Sequence, residues 1–270
     1  MIPEDVRTQA EDAFVSGPEP PRELGIERIT TPRYAVLMMA VPSWNMVGRL
    51  RLEADEVETV VEELRATLRS RGRPQAAWIL GQHAAHNVRT RLVELGMTPY
   101  TDPPLEPHYN CMALVRPPDA GAVDHVAVTL CETIEELEEG LRIGAEAFGI
   151  PADAQQSMRA TFEMRLRLQR EGRPFIREYL AAIDGEAVGF GRARMLDAGI
   201  NLIGAGVLPA ARGRGVYRAL VAARWEEAVV RGTPALTVQA GAMSRPVLEK
   251  LGFVTVAVVD VLCDRVEPVT

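Results

Sequence analysis

Val207-Leu208-Pro209-Ala210-Ala211-Arg212-Gly213-Arg214-Gly215-Val216-Tyr217 decides how this chain is read. A short apolar strand, Asn201 to Leu208, breaks at Pro209. A tight loop then supplies two glycines and two arginines, and a helix opens from it and runs to about Arg231. Gly213 and Gly215 let the backbone turn and approach a ligand with no Cβ in the way. The helix start adds free N–H donors and the positive end of a dipole. Strand, loop and helix start together make a phosphate cradle. A basic turn that only caps a helix is the plainer alternative for the same residues.

Bulk properties bound the rest. With 270 residues the chain holds one large domain or two ordinary ones. Its 47% apolar and 25% charged content is that of a soluble globular protein. The longest apolar run, Tyr34 to Val41, is too short to span a bilayer, and the acidic N-terminus does not read as a signal peptide. No membrane partner is expected. Cys111, Cys131 and Cys263 show no disulfide or metal spacing, which fits a reducing cytoplasm. The net charge of −7 argues against a nucleic-acid partner, and the Arg-Gly-Arg-Gly segment lacks the interleaved aromatics of an RNA binder. Lys250 is the sole lysine among 30 basic residues, a bias that points to a GC-rich, bacterial genome. A phosphate-binding lysine at the loop is therefore absent.

Working backwards, Asp55 to Ser70 has the spacing of an amphipathic helix, with Val57, Val60, Val61, Leu64 and Leu68 on one face. Ala76 to Leu80 reads as a strand, Ala85 to Leu95 as a helix closed by Gly96, and Asn110 to Val115 as a strand. Residues 1 to about 30 read as a loose, proline-rich lead-in. Pro117-Pro118-Asp119-Ala120-Gly121 is the best boundary, placing one domain at 1–118 and a second at 122–270. The second opens with a strand, Asp124 to Leu130, and a helix whose start carries a Thr133/Glu136 capping box. Helical sequence from Ala152 to Arg170 follows, then strands Arg177–Ile183 and Ala187–Met195 joined by Asp184-Gly185. After the opening motif come strand Ala235–Gln239, a helix from Ser244 to Leu251, and strand Val254–Leu262.

This order, with the loop Arg212-Gly213-Arg214-Gly215-Val216-Tyr217 and the run Leu248-Glu249-Lys250-Leu251-Gly252-Phe253, resembles the GNAT superfamily of acyltransferases. The family signature of Arg or Gln, two residues, Gly, one residue, then Gly or Ala falls on Arg212, Gly215 and Tyr217. A helix ending in Leu-Gly-Phe is its second landmark. The resemblance implies an α/β (α+β mixed-sheet) fold and acetyl-CoA as donor to the amine of a small molecule or peptide. It also implies that Val207 and Leu208 offer backbone groups to the pantetheine and thioester. In the same way the loop from Gly213 through Val216 to Tyr217 would hold the pyrophosphate, with Arg212 and Arg214 adding positive charge. Val207 is then a catalytic candidate through its N–H, as oxyanion donor.

Departures from the family pattern leave roles open. Tyr217 stands where a small residue is usual, and is either helix packing or part of the acceptor side. Leu248 stands where many relatives carry a proton-donating tyrosine, and the asparagine position near the strand end falls around Gly241. Ser244 is a weak stand-in for the acid, with a helix N-cap as its plainer role. Glu146, Glu163 and Asp197 are candidate bases, with a surface charge as the plainer role of each. His125 reads as structural. His83 and His86 lack a third ligand, so no metal is expected. The alternative function is a non-catalytic acyl-CoA-binding or regulatory protein.

The first half echoes the second. Leu92-Val93-Glu94-Leu95-Gly96-Met97 matches Leu248 to Phe253, and Arg71-Gly72 matches Arg231-Gly232. This implies two GNAT-like domains in tandem, each with a central, mostly antiparallel sheet flanked by helices. In the first, Leu52 to Val57 stands opposite the phosphate loop, with no glycine and three carboxylates (Glu53, Asp55, Glu56) that would repel a pyrophosphate. That half is expected to be structural and to cover the acceptor side. A homodimer is admitted.

Overall fold

The computed structural model describes residues 1–82, 84, 86–101 and 105–266. The first half supplies α1 (Glu4–Asp12), β1 (Glu27–Thr30), β2 (Ala35–Met38), β3 (Asn45–Gly48), α2 (Val57–Ser70), β4 (Gln75–Leu80), α3 (His86–Glu94), β5 (Thr98–Pro99) and β6 (His108–Leu114). The second supplies β7 (Ala127–Leu130), α4 (Ile134–Phe148), α5 (Ala152–Arg159), α6 (Phe162–Arg170), β8 (Ile176–Ile183), β9 (Glu186–Leu196), β10 (Gly199–Val207), α7 (Val216–Val230), β11 (Leu236–Ala240), α8 (Arg245–Lys250) and β12 (Val254–Arg265).

Local chemistry accounts for many of these boundaries. The Thr133 hydroxyl accepts from the Glu136 amide at 3.2 Å and the Glu136 carboxylate accepts from the Thr133 amide at 3.0 Å, so α4 starts with its capping box closed. Asp184 and Gly185 both take positive φ, as the two-residue turn between β8 and β9 requires. α2 buries the five expected apolar residues, Val57, Val60, Val61, Leu64 and Leu68.

All twelve described strands join one mixed sheet, in the order β1-β2-β3-β4-β12-β6-β11-β10-β9-β8-β7, with β5 beside β12. Among the described residues only β3/β4 and β10/β11 are parallel pairs. Each spans a helix crossover (α2 in the first half, α7 in the second), so the echo in sequence is an echo in topology.

The order of the central strands reveals an exchange. β6, the last strand of the first half, lies between β11 and β12 of the second. β12 in turn leaves β6 at Asp260 and pairs residues 260–265 with β4. The cores follow the same pattern. Met112 and Leu114 of β6 sit in the second half's core, and Leu262 and Val266 sit in the first half's.

The expectation of a loose lead-in is corrected. Residues 4–12 form α1, which buries Val6 and Ala10 against the sheet, and Ala13 just beyond its end is buried too. The buried guanidinium of Arg194 on β9 donates to the carbonyls of Ala13 (2.8 Å) and Ser16 (2.6 Å), and the Gln9 side-chain oxygen accepts from Ala198 N–H at 2.9 Å. Prolines 18, 20 and 21 made the stretch look unstructured, yet they follow the helix and leave its own backbone free to form.

Candidate active site

The site starts where β10 and β11 part. Their parallel register ends at Leu202 opposite Val238, while β10 continues to Val207. A register shift between Ile203 and Ala205, with Gly204 at φ 47°, bulges β10 at this point. Beyond it, Leu208 N–H donates to the Val188 carbonyl at 2.9 Å. Antiparallel ladders alternate, so one residue earlier the Val207 N–H turns away from β9, into the gap on the β11 side. Val207 therefore keeps the backbone donor expected of it. Leu208 does not: its N–H is held by Val188 and its carbonyl accepts from Ala211 N–H at 2.9 Å.

The loop follows. Pro209–Ala211 make one 3₁₀ turn. Gly213 (φ 78°) and Gly215 (φ 84°) both take the left-handed conformation that glycine adopts without penalty. α7 begins at once with Gly215 as N-cap and no side chain capping it, so the first amides, from Val216 and Tyr217 onward, face outward. The Arg212 Nε donates to the Val207 carbonyl at 3.3 Å, Arg214 is exposed, and the Arg214 carbonyl contacts His125 Nε2 at 2.8 Å. The corresponding link in the first half, between β3 and α2, carries Glu53, Asp55 and Glu56, and there the Glu56 carboxylate accepts from Glu53 N–H at 2.9 Å.

A cavity of about 770 Å³ opens beside the strand end and reaches across both halves. Val207, Gly213, Gly215 and Tyr217 line it from the second half together with Phe148, and Trp44 and Tyr109 line it from the first. Tyr217 is thus both packed against the core and part of the cavity wall, and burial raises its phenol pKa. Ser244 lines the cavity as well. It caps nothing with its side chain, and its hydroxyl donates only a long 3.4 Å bond to the Gly241 carbonyl. Leu248 is wholly buried in the core. Glu146, Glu163 and Asp197 are exposed, and none of the three lines the cavity. His83 and the side chain of His86 lie outside the described residues. Among the described residues no group of three metal-ligating side chains gathers.

Two features escaped the sequence reading. Glu106, from the proline-rich segment before β6, lies against Gly241 at the end of β11, and its carboxylate accepts from Ala242 N–H at 3.0 Å. It lines the cavity where the family's asparagine was sought. No local signal marked it, since strand exchange alone brings it there. The second is a buried charge cluster. Glu178 on β8, 1% exposed, accepts from Arg165 Nη2 of α6 at 3.0 Å and from Arg192 Nε of β9 at 3.1 Å. Burial alone would raise its pKa, but the two guanidiniums outweigh that and hold it below the ordinary range. Arg194 beside it is pulled by burial down to about 10. Arg165, Arg192 and Arg194 all line the cavity.

Residues 139–253 match the model of the acetyltransferase (GNAT) family. No curated protein matches the chain. Among solved structures, the fold is similar to a GCN5-related N-acetyltransferase from Kribbella flavida at 17% identity, over 98% of this chain and 96% of that one, with a TM-score of 0.64. A GCN5-related N-acetyltransferase from Sphaerobacter thermophilus is similar at 15% identity, over 88% and 78%, with a TM-score of 0.63. A tandem GNAT protein from the clavulanic acid biosynthesis pathway is similar at 15% identity, over 99% and 90%, with a TM-score of 0.58. At these identities the likeness is one of fold.

Proposed function

As a GNAT-family chain whose family domain spans residues 139–253, this protein, we propose, transfers an acetyl group from acetyl-CoA to the amine of a small molecule or peptide. The observation that carries the reading is the Val207 amide facing the gap between β10 and β11, directly before a glycine loop and an uncapped helix start. In this reading residues 122–270 hold the donor, and residues 1–118 cover the acceptor side and hold no CoA.

The chemistry asks little of the protein. A thioester is already activated, so orientation, an oxyanion donor and a proton acceptor suffice. The amides of Gly213 to Tyr217 bind the pyrophosphate, with Arg212 and Arg214 adding charge once Arg212 releases the Val207 carbonyl. Val207 N–H donates to the thioester oxygen as the tetrahedral intermediate forms. Glu106, on the cavity wall, takes the proton from the attacking amine. The thiolate of CoA departs, and Tyr217, whose burial keeps its phenol protonated, is the proton source on that wall. Ser244 lines the wall as a polar neighbour.

A second reading, a non-catalytic acyl-CoA-binding protein, is favoured by one observation: Leu248 is buried where a tyrosine acid would be expected. Thiol release from acetyl-CoA over an amine panel separates the two. Turnover that falls at least tenfold in Glu106→Gln, with acetyl-CoA binding retained, supports the catalytic reading. Acetyl-CoA binding without turnover on any amine supports the second.

A further inference from the structure

The acceptor side of the cavity carries more positive charge than its own residues neutralise. Glu178 spends a single oxygen, Oε2, on both Arg165 and Arg192. That leaves two part-buried cations on one deeply buried carboxylate. The Arg192 Nη2, the Arg165 Nε and the Glu178 Oε1 are buried with no hydrogen-bond partner in the protein, while the Arg165 and Arg192 side chains as wholes keep 11% and 13% exposure. Arg194 is met by backbone carbonyls and brings no carboxylate to the balance. In a low-dielectric wall such an excess is costly unless an anion arrives to meet it.

Position gives the excess a use. Arg192 lies three residues along β9 from Gly189, the partner of Val207, which is about 10 Å of strand. Its guanidinium leans back towards that end, over the Phe190 ring at 5.1 Å. Phe190 is the partner of Gly206, next to Val207. The cation therefore stands within a small molecule's length of the amide assigned to the thioester. Apolar residues, among them Phe14, Leu37, Met39, Trp44, Phe148 and Ile150, line the same cavity.

We infer that the acceptor is an amine that also carries a carboxylate, on an apolar body of amino-acid size. The carboxylate docks on Arg192 and Arg165 while the amine faces Val207 and Glu106. Arg165 and Arg192 together exceed Glu178 by one positive charge, which one carboxylate would balance; Arg194 stays held by the Ala13 and Ser16 carbonyls. This rests on the acetyl-transfer reading for the amine's fate, but the carboxylate site stands on the arginines alone.

The test is calorimetric titration of the full chain with matched pairs: phenylalanine against phenethylamine, and leucine against isopentylamine. Each carboxylated member should bind at least tenfold more tightly than its partner. Arg192→Gln should bring the members of a pair to within about twofold, and Arg165→Gln, a second variant in case the first fails to fold, should reduce the preference in the same direction. Equal or tighter binding of the plain amines, no binding of either amino carboxylate, or a preference that survives in a folded Arg192→Gln protein would overturn the inference. Because binding is read without turnover, a retained carboxylate preference with no acetyl transfer would strike the function proposed above and leave this site standing.

Discussion

At the scale of single residues, Glu178 shows how strongly the cavity wall around Arg165 and Arg192 is constrained. Exposed pairs such as Arg142–Glu139 contribute roughly 0–1 kcal/mol each. Glu178 is different, because it is itself buried and removing its charge leaves the part-buried Arg165 and Arg192 unpaired. Glu178→Gln should cost about 3–5 kcal/mol at neutral pH, measured by denaturant unfolding. The sign with pH follows from its depressed pKa. Its stabilisation is present above the ordinary carboxylate value of 4.5 and is lost as pH falls through the lower folded value. The gap between wild type and Glu178→Gln should therefore narrow below about pH 4.5. A gap that stays constant down to acid unfolding would contradict the assignment. Residues of this kind were illegible in the sequence. Arg165, Glu178 and Arg192 lie on α6, β8 and β9, and nothing in their spacing distinguishes them from surface charge. Gly213 and Gly215 were legible because left-handed backbone is a local demand that glycine answers locally. Leu208 was misjudged because whether an amide is free depends on its ladder partner, here Val188.

At the scale of elements, the two halves are bound by strands rather than by a surface. β6 fills the position between β11 and β12, and the end of β12 fills the one beside β4. The Arg65 guanidinium on α2 holds Asp264 of β12 at 2.6 Å, clamping the exchanged end. A fragment of residues 122–270 alone would lack the strand between β11 and β12 and expose their edges. It should be insoluble or melt without a cooperative transition, and co-expression with residues 1–118 should restore both properties. A soluble 122–270 fragment with a sharp melt would show that the exchange is dispensable. The internal echo, the crossover helices and most strand positions could be read from periodicity and glycine spacing. The exchange could not, since a strand's apolar pattern does not name its partner. The same blindness hid Glu106, which the sequence placed in a degenerate half and the sheet places beside Gly241.

At the scale of the whole molecule, the proposed function divides the work between the halves as their loops differ. Both use a strand, a link and a helix around a parallel pair, but one link presents glycines and free amides and the other three carboxylates. The cavity is lined by residues of both halves, β10, the loop and α7 from the second and residues such as Trp44 and Tyr109 from the first; in the proposed function the former meet the donor and the latter the acceptor. Thermal stability measured with and without saturating acetyl-CoA tests that division most directly. At a hundredfold excess over Kd, binding adds about 2.7 kcal/mol. For a chain of this length that is a rise of roughly 5–10 °C in Tm. The account predicts such a rise for the wild type and for Asp55→Gly. It predicts none for Gly215→Asp, nor for Gly213→Asp, where a side chain meets nothing within 4 Å. No rise in the wild type, or an undiminished rise in both folded glycine variants, would contradict it.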